Sequence, residues 1–133
     1  MTNAKQYSGL LINDASDRRR VPRYSSELLT VQLRRRGSLR QMLAATLDFN
    51  RFGIAVLSAR PLNLDGFIYL ELSYPEQDRN LSVVGVVHNC VRQQNQFRCG
   101  IRFRPQSSLQ KHPERVEPEL LALERLIAQA ESA

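Results

Sequence analysis

The sequence predicts a mainly β protein: a six-stranded antiparallel β-barrel followed by one C-terminal α-helix. Two observations carry this reading. Six short strand-like runs succeed one another at roughly even spacing, each bounded by turn or loop residues, the pattern of a small all-β barrel. After them comes one amphipathic run, with Leu120, Leu123, Ile127 and Ala130 on a single helical face and Leu126 at its border.

The elements follow in order. Residues 1–16 are polar and mixed apart from Leu10, Leu11 and Ile12, and read as a mobile tail. Residues 17–133 read as one domain: an arginine arm (17–24), the barrel (25–105), then a linker and helix (106–133). In the arm, Arg18, Arg19, Arg20 and Arg23 fall within six positions, and Pro22 splits the last from the others. An interior proline costs a helix about 3 kcal/mol and drives Val21 toward extended backbone. The arm is therefore expected to be stiff and extended, and its guanidiniums repel one another unless they meet an anion.

Residues 28–33 are apolar, partly β-branched and partly alternating, which makes the first strand. Arg34 to Ser38 form a turn around Gly37, with Arg34, Arg35 and Arg36 as a solvated hairpin tip. Residues 39–47 are weak by propensity, since they hold Met42, Ala44 and Ala45. Their place between two stronger runs, after a short turn, makes them the second strand. Asp48 to Gly53 interrupts the pattern, because Asp and Asn form local side-chain-to-backbone bonds that start turns. Residues 54–57 and 67–72 are the third and fourth strands, separated by a loop with Pro61, Asp65 and Gly66. A polar loop around Pro75 leads to a long fifth strand, 81–92, apolar on both faces. After a turn at 93–96, Phe97, Cys99, Ile101 and Phe103 alternate with Arg98, Gly100, Arg102 and Arg104, the cleanest period-two pattern in the chain. Pro105 ends it. A linker through Pro113 and Pro118 precedes a helix at 119–131, with Pro118 in its first turn and Glu117 and Glu119 at the positive end of its dipole.

Composition narrows the function. The length of 133 residues fits one domain. No apolar run approaches the roughly 18 residues of a membrane span, and the first residues lack a signal-peptide pattern, so a cytoplasmic location without membrane insertion is expected. Two cysteines are too few for a disulfide framework, and His88 and His112 do not complete a zinc site. Cys90 and Cys99 would face each other across a two-residue Gln94-Asn95 turn; in a reducing compartment free thiols are expected. Nothing reads as a nucleophile–base pair, a paired-carboxylate site or a metal cluster, which argues against an enzyme.

The net charge of +6 is unevenly spread. Residues 1–60 carry 11 Lys/Arg against 4 acids, residues 61–133 carry 8 against 9, and only one of the first 11 is lysine. Arginine favours planar, bidentate contacts with phosphate and base edges. A nucleic-acid-binding barrel would account for the charge but not for Asp48. It would also lack a stacking platform, since the chain has no Trp, four Tyr and five Phe.

Two pieces combine into a ligand-binding pattern. One is Arg19-x-x-x-Arg23, preceded by Arg18. The other is Asp48-x-Asn50-x-x-Gly53, one hairpin later. Arginine forks suit phosphate oxygens and the O6/N7 edge of guanine. The Asp48 carboxylate can accept from the N1–H and N2–H₂ edge, and Gly53 permits a tight turn and close backbone approach. Together they suit an anionic guanine nucleotide spanning arm and barrel.

These residues resemble the PilZ family, bacterial receptors for cyclic di-GMP, whose pattern is RxxxR before a six-stranded barrel and [D/N]xSxxG after the first hairpin. Gly100-Ile101-Arg102-Phe103 is similar to the family's final Gly-Ile-x-Phe strand, and the resemblance covers about 17–105. It implies that Arg19 and Arg23 grip phosphates and the guanine Hoogsteen edge, that Asp48 and Asn50 hold the opposite edge, and that Gly53 shapes the turn. Arg18 just before the motif implies two stacked, intercalated cyclic di-GMP molecules per chain, with no other cofactor. His88 falls where family members often place a residue near a guanine face. Asn50 departs from the family's serine. The implied partner is an unidentified protein, with no DNA or RNA, and the chain is a monomer or homodimer. A nucleotide-blind adaptor built on the same barrel is the alternative.

Overall fold

The computed structural model describes residues 22–24 and 28–132. Six strands form: β1 (Thr30–Arg35), β2 (Gln41–Asn50), β3 (Gly53–Ser58), β4 (Phe67–Tyr74), β5 (Arg79–Gln93) and β6 (Gln96–Phe103). All neighbours are antiparallel, and the order β1-β2-β3-β6-β5-β4 closes through the β4–β1 pairing into a barrel. The helix α1 (Pro113–Ser132) follows. The predicted mainly β barrel with a C-terminal helix is the observed architecture.

Alternation builds the core. Val31 and Leu33, Ile54 and Val56, Ile68, Leu70 and Leu72, and Cys99, Ile101 and Phe103 point inward from their strands. Phe49 and Phe103 pack at 6.0 Å between ring centroids, tilted by 53°. The apolar face of α1, formed by Val116, Leu120, Leu123 and Ile127, joins the same cluster. Ala130, expected on that face, is exposed.

Several boundaries differ from the sequence reading, and three of them bear on the site or the helix. β2 continues through Asp48, Phe49 and Asn50, so the predicted break there shrinks to the two-residue turn Arg51-Phe52. Phe49 is fully buried, and that burial outweighs the turn preference of its polar neighbours. The helix starts at Pro113 and carries Pro118 inside it, one turn beyond the first, where the missing N–H gives up one ladder hydrogen bond. Arg34 and Arg35 belong to β1 and are engaged: Arg34 Nη1 donates to Ser38 O at 2.9 Å with its guanidinium 4.3 Å from the Tyr69 ring centroid, and Arg35 Nη2 donates to Pro61 O at 3.1 Å. The β5–β6 turn is the two-residue Gln94-Asn95, with Gln94 at φ 57°, and it sets Cys90 opposite Cys99.

Candidate ligand site

β1 and β2 pair only as far as Val31 and Ala44. Beyond that point Tyr24 of the arm meets the same edge of β2. Tyr24 and Phe49 exchange both backbone hydrogen bonds, each at 2.9 Å, as an isolated antiparallel bridge. The bridge sets Arg23 beside Asp48, and Arg23 Nη1 lies 2.5 Å from Asp48 Oδ1. The two predicted halves of the site, 25 residues apart, are thus joined by an ion pair. Arg98 approaches from β6, its Nη2 3.9 Å from Asp48 Oδ2. One carboxylate therefore stands between two guanidiniums, all three partly open to solvent.

Asp48 heads a row of residues across the barrel's outer surface. It is in register with Ala55 on β3, Ala55 with Gly100 on β6, and Gly100 with Asn89 on β5. Their neighbours Phe49, Ile54, Ile101 and Val87 point inward, so this row points outward. Three strand spacings make the row about 14 Å long, and its two middle positions carry almost no side chain. A β-bulge lies at each end. Leu47 is the extra residue before Asp48, and His88 is the extra residue before Asn89. Bulges re-aim side chains beside functional sites. Here His88 is turned onto the small-residue floor: a Cβ on Gly100 would come within 2.9 Å of the His88 ring and 2.8 Å of Asn89 Nδ2. Asn89 Oδ1 accepts the Gly100 N–H at 2.8 Å, and Asn89 Nδ2 lies 3.3 Å from His88 Nδ1.

Asn50 and Gly53 stand behind this row. Asn50 is 1% exposed, and its Oδ1 accepts from the N–H groups of Phe52 and Gly53 at 2.8 and 3.1 Å. It braces the turn from inside the fold. Gly53 is required for another reason than turn conformation: a Cβ there would sit 2.5 Å from Ile101 O, so the residue lets β6 approach β3.

The helix supplies a part of the site that the sequence reading missed. Glu124, 6% exposed, accepts the Arg51 backbone N–H through Oε2 at 2.8 Å. Its Oε1 lies 3.3 Å from Arg51 Nε, an ion-pair contact without hydrogen-bond alignment. An acid lodged among Leu120, Leu123 and Ile127 was the available signal. Arg98 gave none, since an outward arginine in an alternating strand looks like any solvated residue. Arg18 and Arg19 lie outside the described residues, as does the whole 1–16 tail. Among the described residues no group of His, Cys, Asp and Glu could hold a metal, and no helix is long and apolar enough to cross a membrane.

The chain matches the PilZ domain family over residues 17–115. Solved structures share its fold. A Klebsiella pneumoniae MrkH–c-di-GMP complex aligns with TM-score 0.63 at 17% identity, covering 84% of this chain and 53% of that one. Bacillus subtilis MotI/DgrA, an inhibitor of motility, aligns at 0.61 and 15%, covering 84% and 51%. Escherichia coli YcgR in complex with c-di-GMP aligns at 0.59 and 15%, covering 86% and 50%. This chain spans about half the length of each. None of the curated proteins matches it. The chain belongs to the PilZ domain family.

Proposed function

We propose that this PilZ domain is a receptor for cyclic di-GMP that takes the nucleotide onto the outward row between Asp48 and Asn89, and that nucleotide binding changes its surface to regulate a partner protein in the cytoplasm. The observation that carries the reading is the Arg23–Asp48 pair at the head of a flat, small-residue floor. A phosphate competes with Asp48 for Arg23, since both offer oxygens to the same fork. Once released, the Asp48 carboxylate can accept from the N1–H and N2–H₂ edge of guanine. Ala55 and Gly100 leave room for a planar base, with His88 beside it. Arg19 and Arg18 complete the grip from the arm. Four residues of chain reach at most about 14 Å, which bounds the separation of Arg19 from Arg23. Arg18 supports two intercalated nucleotides per chain, and no catalytic step is assigned.

Calorimetric titration of the folded chain with cyclic di-GMP tests this. The expected result is saturable heat with two nucleotides per chain, and ligand at 100 times its dissociation constant adding about 2.7 kcal/mol to the fold for each site filled. Arg23→Ala and Asp48→Ala should each abolish the heat while keeping the β-rich circular dichroism. A flat titration at tens of micromolar, from protein shown to be folded, would overturn the reading.

A further inference from the structure

The two cysteines are placed for chemistry that nucleotide binding does not use. Cys90 on β5 and Cys99 on β6 are directly opposed in the antiparallel register, four residues back from the two-residue turn on each side. Opposed residues in such a ladder have Cα atoms about 4.5–5.5 Å apart, inside the range of about 4.4–6.8 Å that a disulfide spans. Both thiols are free, and their Sγ atoms are 3.2 Å apart. Closing to the roughly 2.05 Å of an S–S bond needs side-chain rotation of about 1 Å and no change of register. The two differ in access. Cys90 is half-buried, while Cys99 is fully buried with Ile101 and Phe103 on the inner face of β6.

We propose that Cys90 and Cys99 form a reversible dithiol–disulfide site that reacts with small-molecule disulfides of the glutathione class. It is independent of the nucleotide reading. The Cys90 thiolate attacks one sulfur of the oxidant, forming a mixed disulfide and releasing one thiol. Cys99 then loses its proton and attacks Cys90 Sγ, which forms the Cys90–Cys99 bond and releases the second thiol. The protein loses two electrons and two protons, and one small disulfide becomes two thiols. The order follows from access, and burial followed by the Cys90 contact pushes the Cys99 thiol up to about 12, which makes Cys99 the poorer first attacker. The product would tie β5 to β6 on the inner side of the strands whose outer side carries Arg98, Gly100 and Asn89.

The test incubates the full chain with millimolar oxidised glutathione and follows intact mass and free thiols. In the wild type both thiols should disappear together, the monomer should lose two hydrogens in mass, and dithiothreitol should restore it. Cys99→Ala should accumulate a stable glutathione adduct on Cys90, and Cys90→Ser should leave Cys99 unmodified. A lasting adduct on wild-type Cys90, disulfide-linked dimers, or two thiols that persist in the folded protein would each overturn the proposal. Rapid modification of Cys99 in Cys90→Ser would overturn the order of attack.

Discussion

Asn50 shows how one buried side chain can brace a tight turn. Its Oδ1 holds two N–H groups of a buried turn, and truncation leaves both unpaired. Asn50→Ala should cost about 1–3 kcal/mol, read as a lower urea midpoint, while Asn50→Ser should recover most of the loss, because a hydroxyl accepts in the same place. Gly53 is constrained by a neighbour's carbonyl. Gly53→Ala drives a methyl against Ile101 O and should cost about 1–3 kcal/mol or more as β3 and β6 part. The same urea series measures it, and unchanged stability would refute the close-approach argument. At this scale the motif residues were legible, and a close backbone approach at Gly53 with them, but not which strand approaches it or that Asn50 is buried. Spacing marks Asn50 and Gly53 as special, yet burial and the position of β6 decide what they do, and both depend on strands far along the chain.

Among the elements, α1 and the β2–β3 hairpin depend on each other through a single carboxylate. Glu124 replaces water on the Arg51 N–H and faces its guanidinium. Glu124→Ala should therefore cost about 1–3 kcal/mol, since a hydrogen bond to a charged, buried acceptor is lost. Hydrogen exchange at the Arg51 amide should quicken more than exchange in the middle of β6. The strands themselves could be read from the sequence wherever alternation was strong, as in β6, and from context where it was weak, as in β2. Their ends could not. Asp48 and Asn50 carry turn chemistry, but the buried Phe49 between them keeps the chain in the ladder, and Pro118 reads as a helix start although the helix begins at Pro113. Neither bulge had a sequence signal, because each arises from register against a partner strand.

For the molecule as a whole, alkaline pH is the condition that tests the core. The Cys99 thiol is held up to about 12 against an ordinary 9.0, by burial first and then by Cys90, and the Tyr74 hydroxyl is raised above 10.0 by burial and then by Glu76. The unfolded chain therefore sheds these protons before the native one does. Their contribution to stability is complete below about pH 9 and is lost as pH rises further, for Cys99 until about 12, at up to roughly 1.4 kcal/mol per pH unit for each group. The urea midpoint should fall between about pH 8 and about pH 10.5, and Cys99→Ala, whatever its starting stability, should show a shallower fall.

The Glu124 clasp also has a consequence in time. Arg51 and Glu124 are 73 residues apart, and synthesis proceeds from the N-terminus at about 5–20 residues per second. Several seconds therefore separate the making of the turn from the making of its brace. During that interval the Asp48 strand already exists, but its turn is held by Asn50 and later by the Phe103 N–H on Phe52 O, without Glu124. A nascent chain is thus expected to complete the Asp48–Gly53 turn late, after the segment beyond residue 112 has been made and has docked.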